Sequence, residues 1–415
     1  MEYWKMEYWG RPLHASFKHS STPCISNLFI GRLVMATKYP IFSADSHLEI
    51  SPQRWTGRVP EKFRDRAPRL IKLPNGGDGI VVENRSVYVL GLAVAGKPYE
   101  EHQLTGLNYA SSAGSGSPEQ RLQEQERDGI DGEILYTSAG NLSFWRGIKN
   151  DDAYRAVLHA YNEFLAEEYC AVNRHRLVAM GVIPSVSVDA AIEEIEYCAK
   201  ASIKGVLLNT FPSGKLFPTP DDDRFYAAAL DLNMPITVHV GLQRTEGPFF
   251  KYKKDPGEVA FGGDPIRVLT RFGGTSGLNA VQLLLSGVFD RIPKLRIYWA
   301  ETQIGWLPYF YEQLDDTYKR SRYWMERYFA IEPLKKQPSE YIREHCLWGF
   351  IYDPIGLRLR YDVGIDRIMW GSDFPHSAGD WPNSRRVIEE MFSGVPEDEK
   401  TKILVSNVVD YFHLD

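Results

Sequence analysis

What most constrains the fold of this 415-residue chain is a series of eight short apolar runs, each set apart from the next by a longer stretch, several of them with helical period. The runs are IFSADSHLE (41–49), GEILYTS (132–138), LVAMGVIP (177–184), GVLLNT (205–210), PITVHVG (235–241), LRIYWAE (295–301), HCLWGFI (345–351) and RIMWGSDFP (367–375). Between them lie amphipathic segments such as 152–173 and 187–201, the second with Ser187 placed to cap a helix start. Strands that alternate with helices pair in parallel, because each helix carries the chain back across the sheet. Eight such units predict an α/β fold, a (β/α)8 barrel. An open doubly wound sheet usually has fewer strands and a glycine-rich first turn, and no GxGxxG follows the first run here.

Two connections exceed a simple strand-helix unit, 50–131 after the first run and 242–294 after the fifth. Both leave the same end of the barrel and carry Gly, Pro and aromatic clusters, so they are expected to cover the active face and exclude water. Residues 1–34 read differently. MEYW occurs at 1–4 and again at 6–9, and Met35 opens MATKYPIF as a natural start would. The expected organisation is an extension over 1–34, disordered or non-native, and a single barrel domain over 35–415.

Composition narrows the partners. A net charge of -6 leaves no excess of Lys and Arg to neutralise phosphates, so nucleic acid is not expected. Cysteines at 24, 170, 198 and 346 form no close pair, which argues against a disulfide framework or a thiolate metal site and fits a reducing cytoplasm. No run approaches the roughly 18 apolar residues that a membrane span requires, so no membrane partner is expected either.

In such barrels the carboxyl ends of the strands carry the chemistry. Those ends hold Asp45 and His47 (first run), His239 (fifth), Glu301 (sixth) and Asp373 (eighth), with His376 three residues further on. Residues two apart in an extended chain share a side, so Asp45 and His47 aim at one spot. Each residue alone has a plain structural reading, a hydrogen-bonded histidine or a turn-capping aspartate. Together, two imidazoles and several carboxylates at the ends of apolar strands are costly unless a cation compensates them. The donor set suits one divalent metal ion, zinc first, with manganese or iron as alternatives. Phe144, Trp145, Trp306 and Phe374, with Phe249, Phe250 and Trp381, follow strand ends or lie in the long loop. They are expected to line a pocket for a small aromatic or cyclic substrate, the competing reading being that they fill space between helices and barrel.

DSH on the first run, TVHVG on the fifth, WAETQIGWLP after the sixth, WGSDFPH on the eighth and the closing ILVSNVVDYF resemble the amidohydrolase-related branch of the amidohydrolase superfamily. That branch includes aminocarboxymuconate semialdehyde decarboxylase and metal-dependent hydroxybenzoate decarboxylases. The resemblance implies metal ligation by Asp45, His47, His239 and Asp373 and a catalytic role for Asp373; Glu301 is expected as an acid or base or, in the other reading, as a metal ligand, and His376, by its place beside Asp373, as a catalytic group that bonds substrate or orients a ligand, the competing reading being a turn-stabilising histidine. Glu301 stands where the decarboxylases tend to have histidine, which tilts the expectation toward a metal-dependent hydrolase opening an amide, lactone or C–C bond with a metal-activated water. Decarboxylation of an aromatic or conjugated acid is the alternative, since it shares the ligands. A metal-free ligand-binding barrel is the third reading, set against the retention of every ligand position. The resemblance also implies a homo-oligomer, a dimer.

Overall fold

The computed structural model describes residues 40–414 apart from 84–87, 90–92, 103–105, 243–252, 254–265, 267–268 and 270–273. The expected extension 1–34, Cys24, Phe249 and Phe250 lie outside the described residues.

All eight runs form strands: β1 (Phe42–Leu48), β2 (Gly132–Thr137), β3 in two pieces (Leu177–Ala179 and Gly181–Val182), β4 (Val206–Leu208), β5 (Ile236–His239), β6 (Ile297–Ala300), β7 (Cys346–Phe350) and β8 (Ile368–Trp370). Each pairs in parallel with the next. The two pieces of β3 face different neighbours, the first bonding to β2 and the second to β4. The ring closes where a parallel bridge joins Ser46 to Phe374, with the amide of His47 donating to the carbonyl of Phe374 at 2.7 Å and that of Asp373 to Asp45 at 2.8 Å. The fold is a closed parallel (β/α)8 barrel.

Side-chain alternation along the strands separates an interior from an exterior. On β6, Ile297 and Trp299 join the apolar layer that includes the helices, while Tyr298 and Ala300 join the other cluster with Leu207, Leu347 and Met369, inside the barrel. On β5, Ile236 and Val238 belong to the outer layer. Thr237 and His239 take the opposite, inward parity, so the same pattern that builds the core delivers the imidazole to the barrel mouth.

The helix expected over 152–173 runs as Asp151–Phe164, capped by the Asn150 side chain, then widens into a π turn (Leu165–Tyr169) and a tighter turn (Cys170–Val172). The helix Val188–Lys200 starts on Ser187, whose hydroxyl accepts from the amide of Ala190 at 3.2 Å. The first long connection contains a small antiparallel sheet (Arg69–Lys72, Asp78–Val81, Tyr88–Val89) and the helix Pro118–Asp128. Among the described residues, no helix is long and apolar enough to cross a membrane.

Candidate metal centre

The mouth of the barrel gathers the polar strand ends. β1 carries a bulge: Ser43 pairs with Glu133 and Ser46 with Leu135, so β1 takes three steps where β2 takes two. The Ser43, Ser46 and Ser372 hydroxyls interlock at 2.9–3.2 Å across the β1–β8 seam. Gly371 allows the two strands to meet closely, since a Cβ there would lie 2.5 Å from the Cβ of Asp45. Glu301 and Asp373 both adopt left-handed backbone angles, φ 53° and 52°, as does Val240 after His239, at 57°. Non-glycine residues visit this region at a cost, and three of them at strand ends of one site mark a backbone held for the placement of side chains.

The structure brings together Asp45, His47, His239, Glu301, Asp373 and His376. His47 Nε2 lies 3.6 Å from Asp45 Oδ1 and 3.2 Å from Asp373 Oδ1. His239 Nε2 lies 3.4 Å from Asp45 Oδ1 and 3.3 Å from Glu301 Oε2. Donors roughly 2.0–2.2 Å from a common cation, at tetrahedral to octahedral angles, stand about 3.0–3.5 Å apart, which is the spacing found. Both oxygens of Asp45, Nε2 of His47 and both ring nitrogens of His239 are buried and make no hydrogen bond. With Asp45 Oδ1 at 3.4 and 3.6 Å from Nε2 of His239 and His47, the unbonded buried atoms on that side fit a divalent cation between them. The Thr137 carbonyl, 3.3 Å from His47 Nδ1, can only accept, so it keeps the proton on Nδ1 and leaves the Nε2 lone pair free for a metal.

A hydrogen-bonded chain adjoins this cluster. His376 Nε2 lies 2.9 Å from Glu49 Oε1 and its Nδ1 3.1 Å from Asp373 Oδ1, while its ring stacks on His47 at a centroid distance of 4.0 Å. Burial opposes charge on His376, but Asp373 and Glu49 outweigh it and raise the imidazolium to about 10. Burial likewise works against the Asp373 carboxylate, and its bonds to His376 and His47 hold it well below the usual range. Glu301 is pushed up to about 7 by burial and by the charge of Asp373. His47 is lowered by burial and by the neighbouring His376. For His239, burial acts downward, and the Asp45 and Glu301 carboxylates prevail, raising it.

Beside His239 opens a cavity of about 300 Å³ lined by Leu142, Leu207, Leu208 and Leu242 with Ser138, Asn209 and Thr275. Of the aromatic residues expected to face a substrate, Phe144, Trp145, Trp306 and Phe374 are not among the described residues that line it. Phe144 and Trp145 are buried, Trp145 packing against Trp55 and Tyr161. Trp306 packs at a tilt against Phe310 and edge-on against Trp348, with its indole N–H bonded to the Thr302 carbonyl at 2.9 Å. Phe374 lies beneath the guanidinium of Arg121. Each ring satisfies the packing beside its strand, so the described wall is aliphatic. A second cavity of about 270 Å³ is lined by His376 with Lys97, Tyr99, His102, Arg386 and Trp381, the last an aromatic residue expected at a pocket.

Two participants escaped the sequence reading. Glu49 had a readable signal, being two residues beyond His47 with the same parity as Asp45. Arg121 had none, since its partners lie on β2 and at the β1–β8 seam.

Residues 116–413 match the amidohydrolase family. The chain belongs to that family. Within it, decarboxylase orsB of Emericella nidulans is 26% identical over 275 residues, spanning 62% of this chain and 78% of its own length. A γ-resorcylate decarboxylase from a Rhizobium species is 25% identical over 311 residues, 71% of this chain and 86% of its own. The dihydroxybenzoic acid decarboxylase of a Polaromonas species, solved with bound manganese and the inhibitor 2-nitroresorcinol, has the same fold at a TM-score of 0.57. It is 18% identical, covering 91% of this chain and 97% of that one. This amidohydrolase-family chain is therefore an enzyme by kinship, and the hydrolytic type expected from Glu301 finds no support in the two sequence relatives, both decarboxylases.

Proposed function

We propose that the protein is a metal-dependent, non-oxidative decarboxylase of a small aromatic carboxylic acid. The observation that carries this reading is the similarity to γ-resorcylate decarboxylase along 71% of the chain. It replaces the hydrolase expected first, which rested on a single residue, Glu301.

Asp45, His47, His239 and Asp373 would hold the cation, with Glu301 at its edge. When bound, a divalent cation supplies a positive centre that attracts the substrate's carboxylate and eases the build-up of negative charge. Of zinc, manganese and iron, the carboxylate share of the donor set and the manganese of the Polaromonas enzyme support manganese. The leucines beside His239 hold the ring and exclude water, while Ser138, Asn209 and Thr275 offer partners for ring hydroxyls. His376, held as the imidazolium between Glu49 and Asp373, passes a proton to Asp373 in concert with the onward transfer, so the Asp373 carboxylate, held well below the usual range, is not protonated at rest. Asp373 gives that proton to the ring carbon bearing the carboxylate, where a ring π pair forms the new C–H bond. The C–C bond to the carboxylate then breaks, its electron pair restores the aromatic system, and carbon dioxide leaves. Net consumption is one proton per turnover, returned to His376 from solvent.

The test is incubation of the manganese-loaded protein with γ-resorcylate and related hydroxybenzoates in deuterium oxide. One carbon dioxide per substrate is expected, with one deuterium at the vacated ring carbon. Hydrolysis of aryl amides or lactones, with no carbon dioxide from any hydroxybenzoate, would return the reading to the hydrolase.

A further inference from the structure

The helix Pro118–Asp128 sends Arg121 into the barrel wall, where its side chain is 1% exposed. Its Nε and Nη2 meet the Glu133 carboxylate at 2.7 and 3.1 Å, a two-pronged pair completed by Gln125 Nε2 at 2.6 Å from Oε2. The rest of the guanidinium addresses backbone: Nη1 donates to the His47 carbonyl at 2.9 Å and Nη2 to that of Phe374 at 3.4 Å. Its carbon sits 4.4 Å from the centre of the Phe374 ring. The two carbonyls belong to a proposed metal ligand on β1 and to the neighbour of another, Asp373, after β8.

We propose that Arg121, oriented by Glu133, is a positioning residue that sets the separation of His47 from Asp373 and so the affinity of the metal centre. This rests on the metal reading above. A buried ion pair by itself adds little stability and can often be exchanged for apolar side chains. What an apolar pair cannot replace is the fork that grips both sides of the seam, and only a rigid planar donor with several N–H groups reaches two carbonyls and a carboxylate at once. Losses of such outer partners weaken metal affinity by about 10- to 100-fold.

The experiment measures manganese and zinc affinity by titration calorimetry, together with melting temperature in chelator, for the wild type, Arg121→Met, Arg121→Met/Glu133→Leu and Arg121→Lys. The double variant buries no unpaired charge, so it is expected to regain most of the melting temperature lost by Arg121→Met while binding manganese about 10- to 100-fold more weakly than wild type. Arg121→Lys keeps the charge opposite Glu133 but not the fork, and is expected to weaken binding about tenfold. Should the double variant fail to fold, Arg121→Lys decides: affinity within about threefold of wild type overturns the proposal, as it would in a folded double variant. A wild type that binds neither metal removes the metal reading itself, a result separable from failure of the Arg121 assignment.

Discussion

Asp45→Asn should make the metal-free protein no less stable, and more stable by a measurable margin, while removing the stabilisation that metal confers. Both Asp45 oxygens are buried and unbonded, with the imidazole nitrogens of His239 and His47 at 3.4 and 3.6 Å. An unsatisfied buried polar group costs about 1–3 kcal/mol, and a charged one more. In chelator, at a pH high enough to keep His239 neutral so that Asp45 has no imidazolium opposite it, asparagine removes the charge and turns one oxygen into a donor facing those nitrogens, so a gain of about 1–3 kcal/mol is expected. For a domain of this size the unfolding entropy is on the order of 0.8 kcal/mol per degree, which makes the gain about 1–4 °C in Tm. With manganese at a hundred times its Kd, the wild type should gain about 2.7 kcal/mol, or about 3 °C, and the variant nearly none. Scanning calorimetry of both proteins, with chelator and then with graded manganese, should show the two melting temperatures change order. Asp45→Asn melting well below wild type in chelator, or gaining as much from metal, would refute the reasoning: the carboxylate would then be a satisfied structural group.

Asp373→Asn should reduce kcat at least about a thousandfold with the fold retained, and near-normal turnover would remove it from proton transfer. Glu49→Gln, which keeps the shape but removes the charge behind His376, should lower kcat by about 10- to 100-fold with metal content unchanged, as measured by elemental analysis beside kinetics. Leu142→Trp should raise KM about tenfold by filling the aliphatic cavity, without loss of metal. Asp128 is raised from 3.8 to about 6, by burial first, while its carboxylate accepts from the Ser384 amide at 2.8 Å. The folded state therefore binds this proton more tightly than the unfolded chain, so the contribution of Asp128 to stability is full below pH 4 and is lost, by about 3 kcal/mol, as pH rises through 4 to 6. Asp128→Asn keeps the Ser384 bond and should abolish that slope, gaining stability over wild type at pH 8 and little at pH 4; equal urea midpoints at both would discount the shift.

The barrel was legible because its core writes a period of two into short segments: Ile297 and Trp299 face out, Tyr298 and Ala300 face in. Helix starts were legible through Ser187, whose cap is local. The ionisable groups gathered at the barrel mouth could be read because such residues at the ends of apolar strands are conspicuous. What escaped depends on tertiary closure. The β1 bulge adds a step that simple alternation does not contain, and Arg121 finds partners at 47, 133 and 374 that only the closed ring brings together. Trp145 and Trp306 pack away from the described aliphatic cavity for a related reason. A ring such as Trp145 or Trp306 serves a core as well as a pocket, and only the neighbours that fold around it decide which.

The seam between β1 and β8 has a meaning for synthesis as well as for chemistry. The groups that face one point are drawn from residues 45 to 376, and the last strand closes on the first only when residues 368–374 have joined it. A ribosome releases the first proposed ligands long before the last, and a nascent chain lacking β8 carries Asp45 and His47 with no Asp373 to complete them. If these groups hold a cation as proposed, its tight capture is deferred until the ring is whole, and a truncated or misclosed barrel would be recognisable by its failure to retain metal.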